Sequence, residues 1–203
     1  FIDPFNYYGK NVEINRINII AKDTEPHLYK IIDFNHNPKN NILLGDSRTN
    51  SLYRVFEENR LNTWSNLAYG GGSLNEVVET FWHITKSKKI DSVLIGINFN
   101  HFNKNNSRNW IKPTLSLIEN SISYSFSKYV FLSISEFIQT FDNEKATKSK
   151  ESKNIFWNNH LKMINNKFYN KIIYPKNYIN ELYDISKFCR RNNIELIFWI
   201  PPV

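Results

Sequence analysis

Three short stretches of this sequence carry residue types that could together run an acyl transfer: Gly45-Asp46-Ser47, Gly70-Gly71-Gly72 and Gly96-Ile97-Asn98. A serine at the start of a helix places its hydroxyl and its own N–H at the positive end of the helix dipole, where a developing oxyanion is favoured. A glycine in a neighbouring loop lets a second backbone N–H approach with no side chain in the way. An asparagine can add a side-chain N–H as a third donor. On this reading Ser47 is the nucleophile, and Ser47, Gly71 and Asn98 hold the oxyanion. Each stretch also has a plainer reading. Asp46 or Ser47 can simply cap a helix, the glycines can form a flexible turn or a phosphate cradle, and Asn98 can be a turn residue. The cradle is disfavoured, because Ser73-Leu74-Asn75 follows the glycines where a Lys-Ser/Thr or a G-x-G-x-x-G pattern would be needed.

The pattern around these stretches supplies elements to hold them. Ile42 to Leu44 is a short apolar run, followed at helical spacing by Leu52, Val55 and Phe56. Thr63 to Ala68 reads as a second strand. Ser73 then caps a helix with apolar positions at Leu74, Val77, Val78, Phe81 and Trp82, and Glu76 completes a capping box. Ser92 to Ile97 is a continuous apolar strand of the kind buried on both faces in a parallel sheet. Tyr178 to Asn192 is helical in period, and Ile194 to Ile200 reads as a fourth core strand. Strand alternating with helix predicts an α/β fold, a three-layer α/β/α sandwich around a parallel sheet with right-handed crossovers. All three candidate stretches then fall at carboxyl ends of strands, where open parallel sheets gather their ligands.

The rest of the chain is less regular. Residues 1–40 read as an irregular extension, with weak alternation from Val12 to Ile20 and one short helix from Glu25 to Phe34 stopped by Asn37-Pro38. Residues 104–175 read as a helical insertion: Leu115, Ile118 and Ile122 suggest one helix, and Val130, Phe131, Ile134 and Phe137 a second. The charged run Lys145 to Lys153 reads as a solvated loop. With 203 residues, 41% of them hydrophobic, one domain with a packed core is expected over residues 1–203. The formal charge of +7 would suit an acidic partner, but no compact Arg/Lys block is interleaved with aromatics, so nucleic acid is not expected. The single cysteine, Cys189, excludes an intrachain disulfide and reads as a buried, inert thiol. No run of about 18 uncharged apolar residues is present to span a membrane. The sequence starts without a methionine and stops just after an apolar run, as an excised piece would.

In order and spacing, the three blocks resemble the SGNH (GDSL-like) hydrolase superfamily. Its first block Gly-Asp-Ser corresponds to Gly45-Asp46-Ser47, its second-block glycine to Gly71, and its third block Gly-x-Asn to Gly96-Ile97-Asn98. The phrases LLGDSRTNSL, NLAYGGGSLNE and VLIGINFNHFN look most like a bacterial cell-envelope branch related to polysaccharide O-acetyltransferases. The likeness covers residues 40–103 and, more faintly, 178–203. It implies a flavodoxin-like sandwich, a Ser47 nucleophile, and an oxyanion hole from Ser47 N–H, Gly71 N–H and the Asn98 side chain. It further implies an acylated glycan or acyl donor as ligand, room for a membrane-anchored partner, and a place in the bacterial envelope; no cofactor is expected, and no cluster of ligand residues in the sequence argues for a metal.

One block of that family is missing. No Asp-x-x-His occurs in this sequence, so the resemblance places the general base and its orienting acid in a C-terminal part beyond Val203, or implies their loss. Without a base, serine is a poor nucleophile. His101, three residues after Asn98, is the candidate substitute base, against the plainer reading of a loop histidine between aromatic neighbours. His27, His36, His83 and His160 read as surface or packing residues. Asp46 and Arg48 are candidate substrate contacts, although Arg48 could equally pair with Asp46. Two functions follow as expectations: a serine ester hydrolase or O-acyltransferase on an envelope glycan, or a catalytically silent relative that binds glycan or scaffolds a partner through its aromatic middle.

Overall fold

Four short strands, β1 (Asn41–Leu44), β2 (Trp64–Asn66), β3 (Ser92–Gly96) and β4 (Glu195–Trp199), pair in parallel in the order β2-β1-β3-β4. The structure is a computed structural model; it describes residues 3–8, 16–58, 63–106, 108–119 and 172–201, with scattered helical residues between 130 and 166. Around the sheet lie α1 (Arg16–Thr24), α2 (Pro26–His36), α3 (Ser47–Glu58), α4 (Leu74–Ser87), α5 (Ile111–Glu119) and α6 (Asn177–Arg191). Two 3₁₀ turns, Phe99–Phe102 and Lys104–Asn106, follow β3. The protein is therefore an α/β fold with an all-parallel sheet flanked by helices.

Register and chain direction fix which helix covers which face. The pairings Ile42–Val93–Leu196 and Leu44–Ile95–Phe198 share one face. There Ile42, Leu44, Val93 and Ile95 join Val77, Phe81 and Ile84 of α4 and Leu182, Ile185 and Cys189 of α6 in the main core. Each fully buried apolar side chain of this kind contributes about 2 kcal/mol. The chain moves from β1 to one sheet edge through α3, then reverses through α4 to reach β3. Right-handed crossovers in opposite directions put the two helices on opposite faces, and α3 accordingly packs on the face carrying Leu43 and Leu94.

Local chemistry sets the helix starts. Ser73 Oγ accepts the Glu76 N–H at 3.2 Å while Glu76 Oε2 accepts the Ser73 N–H at 2.8 Å, the capping box legible in the sequence. At α3 the cap is Asp46, not Ser47: the Asp46 carbonyl accepts the Asn50 N–H and its Oδ1 accepts the Arg48 N–H at 3.0 Å. Ser47 is thus the first residue inside the helix.

Three other expectations change. In the N-terminal extension α2 is the short helix expected from Glu25 to Phe34, but the described part before it is not irregular: α1 packs on α2 around Phe5, Ala21, Leu28 and Ile32. The alternation from Val12 to Ile20 gives way to helix from Arg16 onward, since a helix lets Ala21 reach α2. The fourth strand is an edge strand, with Ile197, Phe198 and Ile200 exposed, because nothing pairs with its outer side among the described residues. In the middle, α5 matches the first expected helix, and Val130, Phe131 and Ile134 are helical. Ile122, Phe137 and the run 145–153 lie outside the described residues. Cys189 is buried, and burial pushes its thiol up to about 11.

Candidate active site

The sheet order reverses between β1 and β3, and their carboxyl ends carry Gly45-Asp46-Ser47 and Gly96-Ile97-Asn98. That crevice is where doubly wound sheets bind ligands. Seating a helix there demands space, and the two glycines provide it. Thr49, fully buried on the first turn of α3, sits in a socket between them: a Cβ on Gly45 would lie 2.3 Å from Thr49 Oγ1, and one on Gly96 only 1.8 Å from it. Gly45 also takes φ 148, a conformation that other residues rarely adopt.

A ring of hydrogen bonds then ties the strand ends together. The Asn98 side-chain amide donates to Asp46 Oδ2, and Asn98 Oδ1 accepts the His101 N–H at 3.2 Å. His101 Nδ1 accepts the Asn98 N–H at 3.4 Å, and His101 Nε2 donates to the Gly72 carbonyl at 3.0 Å. The glycine loop returns to the first strand through the Tyr69 N–H, which donates to the Gly45 carbonyl at 3.3 Å. Asp46, Asn98, His101, Gly72 and Gly45 therefore form one connected cradle.

Within it the candidate residues divide by role. Ser47 is exposed, and among the described residues its hydroxyl meets no imidazole. Its own N–H and that of Gly71, at φ 70, donate no hydrogen bond among the described residues. Asn98 has one amide hydrogen committed to Asp46, which leaves the second for a ligand. Asp46 gives one carboxylate oxygen to the helix cap and the other to Asn98. Arg48 is exposed and meets Asp46 only through its backbone N–H.

His101 is not placed as a base for Ser47. It is completely buried, with both ring nitrogens held by backbone groups. The Gly72 carbonyl can only accept, so Nε2 carries the proton and Nδ1 is the acceptor. Burial lowers the His101 pKa, against the opposing pull of Asp46 and the Gly72 carbonyl, and keeps the ring neutral. Its work is to hold the glycine loop against the end of β3.

Two neighbouring polar groupings were not legible beforehand. Arg108, just before α5, donates from Nη2 to the carbonyls of Gly71 at 2.5 Å and Gly70 at 3.4 Å, and meets Glu76 Oε2 at 3.5 Å. Its guanidinium lies 3.9 Å above the centre of the Trp110 ring. Glu76, almost fully buried, also accepts the Trp110 N–H at 2.7 Å. Nothing in the polar run 103–109 marks Arg108 out, because its partners lie far back in the chain. The second grouping borders a cavity of about 600 Å³ lined by residues including Lys30, Asn50, Arg54, Trp64, Asn66, Tyr69 and Gly70. There Lys30 Nζ donates to Asn50 Oδ1 at 2.7 Å and to the Ala68 carbonyl. The cavity reaches Gly70 on the outer side of the loop, while Ser47 lies outside its lining.

The remaining histidines are held elsewhere. His27 is buried in α2, with Nε2 3.4 Å from Glu25 Oε2, and burial lowers its pKa to about 4. His36 is exposed and contacts the Tyr7 carbonyl; His160 lies outside the described residues. Among the described residues no group of three His, Cys, Asp or Glu could hold a metal ion, and no helix is long and apolar enough to cross a membrane. Of the aromatic middle, Phe131 is exposed; Tyr124, Phe126, Tyr129, Phe156, Trp157, Phe168 and Tyr169 lie outside the described residues. No family model, no curated protein and no solved structure matches this sequence.

Proposed function

We propose that this chain carries the serine of an SGNH-type, flavodoxin-like domain that hydrolyses or transfers a small acyl group, acetyl foremost, on a glycan of the bacterial cell envelope. The observation that carries the reading is the hydrogen-bonded convergence of three strand ends at the point where the sheet order reverses. Ser47 Oγ attacks the ester carbonyl as its proton passes to a base; collapse of the tetrahedral intermediate breaks the ester C–O bond, the departing alcohol takes that proton, and water or an acceptor hydroxyl then releases the acyl group from Ser47. The charge that develops on the carbonyl oxygen is met by the N–H groups of Ser47 and Gly71 and by the free amide hydrogen of Asn98. The positive end of α3 adds to the same field. Asp46 holds Asn98 in the orientation this needs. The attack also requires a base to take the Ser47 proton, and His101 cannot serve; the family likeness assigns that task to a histidine of an Asp-x-x-His block, which these residues do not include.

A second reading rests on His101, whose burial and two backbone partners take the imidazole beside the cradle out of use as a base: the cradle is kept for binding alone and glycan is held without turnover. The two part on one experiment with the full-length natural protein: hydrolysis of p-nitrophenyl acetate, and labelling by a serine-reactive fluorophosphonate, for wild type and Ser47→Ala. Loss of about 10³-fold or more in kcat/KM, with loss of labelling, supports the enzyme. Equal rates in both proteins remove it and leave the binding reading.

A further inference from the structure

Two features of the glycine loop remain unexplained by an oxyanion hole alone: a guanidinium packed against it, and a buried carboxylate behind that guanidinium. We propose that Arg108 is a positioning residue, which fixes the peptide plane of Gly70–Gly71 so that the Gly71 N–H stays turned outward as a donor, and that Glu76 sets Arg108 in place. The inference rests on the acyl-transfer reading above and adds to it a residue from outside the three blocks.

The geometry runs as a closed chain of contacts. A trans peptide holds its C=O and the following N–H in opposite directions, and no peptide bond among the described residues is cis. Arg108 Nη2 draws the Gly70 carbonyl toward itself at 3.4 Å, so the N–H of Gly71 points away from the guanidinium. The next carbonyl, of Gly71 itself, is held by the same nitrogen at 2.5 Å. Both peptides flanking Cα of residue 71 are thereby pinned by one side chain. The contact is close enough that a Cβ on residue 71 would lie 3.2 Å from Arg108 Nη1.

Arg108 is fixed in turn from three sides. Its carbonyl accepts the Ser73 hydroxyl at 2.5 Å, its guanidinium lies over Trp110, and its Nη2 meets Glu76. Glu76 is tied to both ends of this arrangement, through Ser73 N–H at the start of α4 and through Trp110 N–H before α5. A lysine could not reproduce this. An ammonium is a point charge, whereas the planar guanidinium can stack on Trp110 while it bonds to carbonyls and a carboxylate. Glycine at φ 70 is otherwise free to turn its peptide over, which would carry the donor away from the oxyanion. Removing the clamp therefore reduces transition-state stabilisation and leaves ground-state binding of the ester nearly unchanged.

The test uses the full-length protein and p-nitrophenyl acetate, with wild type, Ser47→Ala, Arg108→Ala, Arg108→Lys and Glu76→Gln, each checked by thermal unfolding. We expect Arg108→Ala to lose about 10- to 100-fold in kcat with KM changed less than about threefold. Added guanidinium ion should restore part of that loss, Arg108→Lys should not, and Glu76→Gln should lose less than Arg108→Ala. With glycine ¹⁵N-labelled protein, the Gly71 amide should shift in Arg108→Ala, a readout that does not depend on turnover and serves even if kcat is low. Unchanged kcat in Arg108→Ala while Ser47→Ala is dead overturns the positioning role alone. A parallel fall in kcat, KM and unfolding temperature, with no guanidinium rescue, overturns it as well by making Arg108 purely structural. Equal turnover in wild type and Ser47→Ala overturns the acyl-transfer reading and this inference with it.

Discussion

Strands β1 and β4 read alike in the sequence, as short apolar runs, yet their surroundings differ completely. Ile42, Leu43 and Leu44 are 0%, 0% and 1% exposed, whereas Ile197 and Phe198 on β4 are 37% and 44% exposed. The first lies between two paired neighbours with helices on both faces; the second, among the described residues, is paired on one side only. Apolar composition is enough to make a strand, but burial depends on what the rest of the chain lays against it. The same contrast separates the strand ends. Past β1 and β3, the buried Asn98 and His101 are linked to each other and to the half-buried Asp46, so each has a defined direction.

The contrast can be broken or sharpened by substitution. The largest effect is expected at the socket: Gly96→Val puts branched carbon where Thr49 Oγ1 already sits, and should cost more than about 3 kcal/mol in urea unfolding. A neutral result would mean that the strand ends are not sealed as described. Next comes pH. His27 has a folded pKa of about 4 against 6.5 when unfolded, because of burial. Above pH 6.5 the ring is neutral in both states. As pH falls from 6.5 to 4 the unfolded chain takes a proton that the folded chain refuses, so stability should drop by about 3 kcal/mol and level off below pH 4. His101 shifts in the same direction, so the diagnostic is that His27→Gln flattens the urea midpoint against pH relative to wild type.

Smaller effects distinguish the two regions further. Thr49 Oγ1 is buried with no hydrogen-bond partner. Thr49→Val should therefore stabilise the protein by about 1 kcal/mol, measured by the same unfolding, since it removes an unsatisfied hydroxyl from an otherwise closed socket. Destabilisation would show that the hydroxyl has a use. On the edge strand, Ile197→Thr should change stability by less than about 0.5 kcal/mol. A loss of 2 kcal/mol or more, about the cost of a core truncation, would mean that this face is as enclosed as that of β1.

What could be read from the sequence was what local chain segments determine. The capping box of Ser73 and Glu76 depends on residues three apart, and the apolar runs of β1 and β3 on consecutive ones; both are where the pattern puts them. Asp46 and Ser47 show the limit of that reading. Adjacent residues can each cap a helix, and the choice fell to Asp46 because its second carboxylate oxygen also meets Asn98. His101 shows the same limit. Its spacing from Asn98 put it beside the candidate site, but burial and the Gly72 carbonyl assign both its nitrogens. Arg108 carried no local signal of its role, since the carbonyls and the carboxylate that its guanidinium meets belong to the loop and helix that follow β2.

The Thr49 socket has a kinetic consequence. One wall, Gly45, is present as soon as the chain leaves β1, but the other, Gly96, arrives only when β3 has paired alongside it. The first turn of α3 therefore has nowhere to seat until a contact distant in sequence has formed, and contacts of that kind are costly to close early. Thr49→Ala should accordingly accelerate unfolding and leave the folding rate almost untouched, giving a φ-value near zero. The helix end that would support the reaction is then among the last parts of the molecule to lock.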